Sequence, residues 1–150
     1  MTAMPVSYAA LPDPDRDAEF YADVPVKRAL AWIVDSILIA VLTVVAVPLT
    51  AFTALFYLPV LWLVIGLAYR IVTLTRGSAT PGMRLVGIEF RTHRGERFGL
   101  PEAALHTAIY SVCVSFVIPQ IVSIVLILAT ARRQGLPDLA LSTVALNRAR

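Results

Sequence analysis

Two side chains of opposite charge, Arg28 and Asp35, stand near the start of a long apolar segment. Seven residues make almost two helical turns, so on an α-helix these side chains lie about 10 Å apart along the axis and nearly on one face. A carboxylate in apolar surroundings can bind a cation, exchange a proton or form a structural ion pair. The spacing therefore identifies Arg28 and Asp35 as candidate functional residues without choosing among these roles.

Arg70 is a further charge inside an apolar segment. It lies about 9 Å before a helix end near Arg76, close to the depth of Asp35 if the two helices are antiparallel. The sequence leaves two alternatives open. Either Asp35 pairs with Arg70, or Arg70 extends to the membrane surface and Asp35 pairs with Arg28 or water. An unpaired carboxylate in hydrocarbon costs at least about 2.5 kcal/mol, so a partner or a neutral form is expected.

Two more titratable residues belong to the same set. His106 is the only residue between Ala103 and Ala131 whose side chain ordinarily becomes charged near neutral pH. We expect it to be an interfacial side chain hydrogen-bonded to the adjoining loop, with a proton relay as the alternative. Asp138 follows a proline among apolar residues, and we expect it to accept hydrogen bonds from local backbone N–H groups. The predicted intramembrane charge network is Arg28, Asp35, Arg70, His106 and Asp138.

The patterns that catalysis requires are not found in the sequence. It has no His-x-x-x-His spacing, no nucleophile elbow and no glycine-rich loop with a lysine at nucleotide-binding spacing. The single cysteine, Cys113, lies in an apolar segment and is expected to be a buried hydrophobic side chain. We therefore expect no enzymatic activity, no catalytic residue, no cofactor and no metal site.

The composition indicates an integral membrane protein. Of the 150 residues, 58% are hydrophobic, and the mean hydropathy is +0.76. The run from Ser36 to Tyr69 contains no charged residue or histidine. As one helix it is roughly 50 Å long against a hydrocarbon core of about 30 Å, so the chain must turn back, and Pro48 supplies the break. The predicted fold class is an all-α membrane protein, a small bundle of three to four hydrophobic helices.

The element boundaries follow from these apolar segments. The predicted helices cover about 26–47, 52–75, 103–116 and 119–131. The last two are alternatives to a single tilted helix over 103–131, and we favour the pair because a hairpin keeps all thirteen basic residues on one side of the membrane.

The remaining segments are polar. Residues 1–24 carry five acids and three prolines and are predicted to be a disordered acidic tail. The loop 77–102 is predicted to form a short β-hairpin, in which the alternating residues Val86 to Phe90 turn at Gly95 into Arg97 and Phe98.

The charge distribution predicts the topology and the partners. The net charge of +3 arises from basic residues that flank the apolar segments, which is typical of cytoplasmic loops rather than of nucleic-acid binding. We expect a multi-pass protein of the bacterial cytoplasmic membrane, with an uncleaved first helix and both the N- and C-termini in the cytoplasm. The expected partners are the lipid bilayer, anionic lipid headgroups at the basic loop, and a homo-oligomer or membrane partner protein.

These pieces resemble the RDD family of small bacterial membrane proteins, which is named for an arginine and two aspartates. Arg28 and Asp35 match the family's first-helix pair, and Asp138 with Ser142-Thr143-Val144 matches its last motif. The loop Thr80-Pro81-Gly82-Met83-Arg84 is similar to the family's Thr-x-Gly-Lys turn, with the lysine replaced. The resemblance covers about residues 24–147. The predicted RDD-like transmembrane domain is 25–147, followed by the C-terminal end, 148–150. His106 stands where the family often has an arginine.

The resemblance implies a membrane role that is usually described as transport. The first hypothesis is therefore an ion- or proton-coupled transport component, in which Asp35 is the carboxylate that binds a proton or cation. Four short helices are too few to enclose a path, so this hypothesis requires an oligomer or a partner. The alternative is an accessory or scaffold protein, in which the charge network holds the helices together.

Overall fold

The structure, a computed structural model, describes residues 6–149. It is mainly helical, with one small sheet. The elements in chain order are α1 (Val24–Leu49), α2 (Leu58–Gly77), α3 (Pro81–Leu85), β1 (Ile88–Thr92), α4 (Leu100–Ser115), α5 (Val117–Ala129), α6 (Leu136–Leu141) and β2 (Thr143–Asn147), with short 3-10 helices at Ala18–Phe20 and Thr53–Tyr57. The predicted all-α membrane class is confirmed.

Two helices, α1 and α2, are long and apolar enough to cross a membrane. The turn between them comes just after Pro48, where Ala51 and Phe52 adopt left-handed backbone conformations with φ of 49° and 64°. Residues 53–57 form a 3-10 helix, so α2 begins at Leu58 rather than at about residue 52. This displacement places Pro59 in the first turn of α2, where its missing N–H costs nothing.

The apolar stretch after the polar loop is divided between α4 and α5. The two helices are bent by 115° relative to each other. The break falls at Phe116, which has an extended backbone, and not at Pro119, which lies in the first turn of α5. At about 24 Å and 20 Å, each helix is shorter than the hydrocarbon core of about 30 Å.

The predicted β-hairpin within the loop 77–102 is wrong. Strand β1 instead pairs antiparallel with β2, with Ile88 opposite Asn147 and Thr92 opposite Thr143. Phe98 does not pair with β1 through its backbone. Its ring stacks on Phe90 of β1 in the core, and its backbone N–H donates to Ser78 Oγ at 2.6 Å. The C-terminal strand provides five paired positions, which is more backbone pairing than the short segment around Phe98 allows.

The predicted disordered tail is also wrong for residues 6–24, while residues 1–5 lie outside the described part of the chain. Leu11 and Tyr21 are buried against Val144 and Leu146 of β2. The amide of Asn147 donates to the carbonyl oxygens of Glu19 and Ala22, at 2.8 and 2.9 Å. The prediction rested on the acidic composition of this segment and did not consider that a few apolar residues within it could pack on β2.

A repeated order of elements positions the site. A pair of apolar helices is followed by a short helix with proline in its first turn and then by a strand, first as α1-α2-α3-β1 and again as α4-α5-α6-β2. Helix α1 packs on α2 and α3, whereas α4 packs on α2, α5 and α6. The pairing of β1 with β2 therefore joins the ends of both halves on one side of the molecule.

This arrangement predicts where the C-terminus lies. Because β2 pairs with β1 and contacts the residues before α1, we expect the N-terminal segment, the polar loop and the C-terminal strand to share one side of the membrane. A reporter active only in the cytoplasm, attached after Arg150, is expected to be active. The same reporter inserted after Ala51, between α1 and α2, is the control and is expected to be silent. Activity of a periplasmic reporter at the C-terminus would contradict the prediction.

Candidate functional site

Asp35 lies in the middle of α1 and is buried, with 4% of its surface exposed. Its Oδ1 atom accepts hydrogen bonds from the Tyr69 hydroxyl at 2.6 Å and from the Gly82 backbone N–H at 2.9 Å. Its Oδ2 atom accepts from the Thr80 hydroxyl at 2.5 Å. Three neutral donors from α2 and α3 thus satisfy the carboxylate without a salt bridge.

Helix α3 is held against α1 by this carboxylate. Thr80 caps the helix, because its Oγ1 accepts the Met83 N–H at 3.2 Å while its hydroxyl proton goes to Asp35. Gly82 permits the approach, since a Cβ there would overlap the Ala31 carbonyl oxygen and lie 2.9 Å from Asp35 Oδ1. A close backbone approach of this kind is a specific reason for glycine.

Arg28 lies almost two helical turns before Asp35 on α1 and forms a second anchor, with α6. Its Nη1 lies 2.5 Å from Asp138 Oδ2, and the Asp138 side chain is fully buried. Asp138 also accepts the Gly135 N–H at 2.9 Å and the His106 ring at 2.8 Å. Burial alone would raise the pKa of the Asp138 carboxyl, but Arg28, His106 and the Gly135 N–H together hold this pKa below its ordinary value.

His106 is packed in an aromatic environment rather than at an interface. Its ring is 1% exposed and lies 4.5 and 5.6 Å from the centroids of Phe90 and Phe98. Nε2 bonds to the Asp138 carboxylate, so this nitrogen carries the proton, while the buried Nδ1 has no partner within residues 6–149. A proton added at Nδ1 would become a buried donor without an acceptor, which disfavours a relay through this ring.

Arg70 behaves differently from Arg28. Its guanidinium stacks on the Tyr110 ring at 3.8 Å from the centroid. Among the described residues no carboxylate forms an ion pair with it, and its buried Nε has no hydrogen-bond acceptor. A guanidinium above an aromatic face gains a cation–π interaction, but its N–H donors remain available.

Two cavities meet at these residues. The larger, of about 520 Å³, lies between α1 and the α4-α5 pair and reaches Arg28 and His106. The smaller, of about 310 Å³, lies among α1, α2 and α4, towards Pro59. Four side chains line both cavities and form a wall that the two cavities share: Trp32, Asp35, Arg70 and Tyr110.

The predicted network is thus divided into three parts: the group of Arg28, His106 and Asp138, then Asp35 with its neutral donors, and Arg70 on Tyr110. Arg28, His106 and Asp138 are joined by direct contacts, but the Asp35–Arg70 ion pair is not formed, and neither is an Asp35–Arg28 pair. The predicted capping role of Asp138 corresponds to its bond with the Gly135 N–H. His106 bonds to α6 and is buried, rather than lying at the interface.

The sequence analysis did not assign four partners of this network. It identified Thr80 and Gly82 only as part of the loop motif of the RDD family, and it did not single out Tyr69 and Tyr110. Thr80 before Pro81 is a recognisable helix start, since a threonine N-cap with proline at N1 is favoured. The tyrosines carry no such signal, because their roles depend on how α2 and α4 are rotated against α1.

The fold and the site define a small integral membrane protein whose polar side chains are gathered at one end of an apolar bundle. Comparison with family models matches residues 23–142 to the RDD family. The chain therefore belongs to the RDD family. A search among curated proteins finds no match, and a search among solved structures finds none.

Gly82→Ala is expected to destabilise the protein by about 1–3 kcal/mol, the usual cost of inserting a methyl group into a filled space. Gly66→Ala is the matched control, because its Cβ would meet only Ile39 Cδ1 at 3.8 Å. Replacing a helical glycine by alanine gains up to about 1 kcal/mol. Unfolding in detergent, followed by circular dichroism, should shift in opposite directions for the two variants. Equal shifts would contradict the tight contact at Gly82.

Arg28→Gln is expected to cost about 3–5 kcal/mol, because it leaves the buried Asp138 carboxylate without its counter-charge. Arg148→Gln, which removes a more exposed ion pair with Glu89, should cost less than about 1 kcal/mol. The measurement is the free energy of unfolding in a denaturing detergent titration. A double-mutant cycle with Asp138→Asn should give a coupling energy between positions 28 and 138. Additive effects of the two substitutions would argue against the pair.

Proposed function

We propose that the chain is a component of an ion- or proton-coupled transport system in the bacterial cytoplasmic membrane. The observation that carries this proposal is the shared wall of the two cavities. Trp32, Asp35, Arg70 and Tyr110 separate a larger cavity near the polar end of the bundle from a smaller one deeper along α1 and α2. Intramembrane ionisable residues commonly mark ion and proton pathways, and a charged partition between two cavities fits such a pathway.

Asp35 is the residue on which proton or cation coupling would depend. It is bonded to two hydroxyl groups, of Tyr69 and Thr80, whose protons can rotate between acceptors. These hydroxyl groups can reorient when Asp35 changes its protonation state, and intramembrane ionisable residues are a common feature of proton and ion pathways. Arg70, across the same wall, would compete with a transported cation for the carboxylate.

An assembly is part of this proposal. The larger cavity is open between α1 and α5, and apolar side chains on these helices are widely exposed. Two spanning helices with one bent pair do not enclose a path. A second copy or a partner membrane protein packed on the exposed apolar faces of the helices would enclose the path. The basic residues flanking the helices support an orientation with both termini in the cytoplasm.

A second candidate function is an accessory or scaffold protein that transports nothing. The satisfied geometry of both aspartates favours it. Each carboxylate fastens one short helix, Asp35 through Thr80 and Gly82, and Asp138 through its own Gly135 N–H and Arg28. Buried charges of this type can specify how elements fit together without taking part in chemistry.

Flux through reconstituted protein separates the two functions. Proteoliposomes with an internal pH-sensitive dye are given a sodium or potassium gradient, and the transport proposal expects the parent protein to move protons in response. Asp35→Asn should reduce this signal to the level of protein-free liposomes, because the amide cannot bind a proton or balance a cation.

The matched control is Asp15→Asn, since Asp15 is an exposed acid outside the helices. It should keep the parent's flux. Thermal stability is measured on the same samples. An inactive parent protein together with a lower melting temperature for Asp35→Asn would reject transport by this chain and support the scaffold.

A further inference from the structure

We propose that the larger cavity binds an anionic phospholipid, with the headgroup phosphate at Arg70 and an acyl chain between α1 and α5. This site is independent of the transport proposal, since it requires no flux. The proposed ligand would occupy a part of the molecule where a guanidinium nitrogen lacks a hydrogen-bond acceptor within residues 6–149 and an apolar cleft is open.

The cation is Arg70. The other charges near the cavity are already used by the protein, because Arg28 is bonded to Asp138, and the oxygens of Asp35 accept three hydrogen bonds. Within residues 6–149 the Arg70 guanidinium makes a stacking contact with Tyr110 but no hydrogen bond to an acceptor through its buried Nε. A buried donor without an acceptor is costly, and a phosphate oxygen is a strong acceptor for arginine.

The cleft provides the apolar part of the site. Helix α1 packs on α2 and α3, and α5 packs on α4 and α6, but within residues 6–149 no comparable packing joins α1 to α5. The two sides of the gap carry exposed apolar side chains, including Val26 and Trp32 on α1 and Ile124 and Leu128 on α5. A gap of this kind between apolar helices opens towards the hydrocarbon of the bilayer.

Depth and chemistry together favour a lipid over other occupants. Arg70 lies about 10 Å from the C-terminal end of α2, within reach of the headgroup region through its long side chain. A soluble anion would make no contact with the apolar walls. An apolar partner helix would offer no hydrogen-bond acceptor to Arg70. An anionic phospholipid satisfies both the guanidinium and the walls.

Quenching of Trp32 fluorescence tests the proposal. The chain has two tryptophans, and Trp62 lines only the smaller cavity, so a Trp62→Phe background leaves Trp32 as the reporter in the full-length protein. Phosphatidylglycerol or phosphatidylcholine with brominated acyl chains is mixed with unbrominated lipid, and quenching gives their relative binding at Trp32. We expect about a fivefold preference for phosphatidylglycerol, the effect of one basic side chain near a membrane surface.

Arg70→Gln in the same background should remove this preference, whereas Arg70→Lys should retain most of it because the charge remains. Arg94→Gln is the matched control, since Arg94 is exposed in the polar loop, and it should keep the full preference. Circular dichroism of each sample verifies folding.

Three results would overturn the proposal. The first is equal quenching by both lipids in the parent protein, which would leave only the non-selective lipid shell. The second is an unchanged preference in Arg70→Gln, or a loss in Arg94→Gln as large as in Arg70→Gln. The third is displacement of brominated phosphatidylglycerol by millimolar inorganic phosphate, which would identify a free anion as the ligand.

Discussion

The architecture depends on one constraint, that charges on an apolar helix must be satisfied by the chain itself. Arg28 and Asp35 lie on nearly the same face of α1, and each secures a different short helix. Asp35 binds α3 through neutral donors, and Arg28 binds α6 through the buried Asp138. Because an unsatisfied charge in this setting costs several kcal/mol, the two short helices are held where their donors and acceptors are needed.

The two anchors explain why the polar end of the molecule is well packed although the helices are short. Helices α3 and α6 each lead into a strand, and the strands pair with each other, so the two halves of the chain are joined beneath α1. The aromatic rings of Phe90 and Phe98 then surround His106, which completes the hydrogen bonding of Asp138. A neutral ring is sufficient there, since it donates one hydrogen bond to a carboxylate that Arg28 already balances.

Arg70 is the exception within this polar region. It shares a cavity wall with Asp35 but forms no ion pair with it, since the donors of α2 and α3 have taken the carboxylate. Within residues 6–149, the charges that hold α3 and α6 in place are therefore distinct from Arg70, whose buried Nε has no hydrogen-bond acceptor. The lipid proposal rests on this difference between satisfied and unsatisfied groups.

The sequence alone determined the membrane class, the approximate apolar helices and the residues Arg28, Asp35 and Asp138, because hydropathy and charge in an apolar segment are local properties of the chain. The RDD motifs added the family, which the match over residues 23–142 confirms. The hydrogen-bond partners of these charged residues could not be predicted from the sequence. The contacts of Asp35 with Tyr69 and Thr80, and the pairing of β1 with β2, join residues 34 to about 60 positions apart. Only the rotation and packing of the helices decide which donor meets which carboxylate. The sequence left Arg70, Arg28 and water open as partners of Asp35, and the tertiary structure instead gives it the neutral donors Tyr69, Thr80 and Gly82.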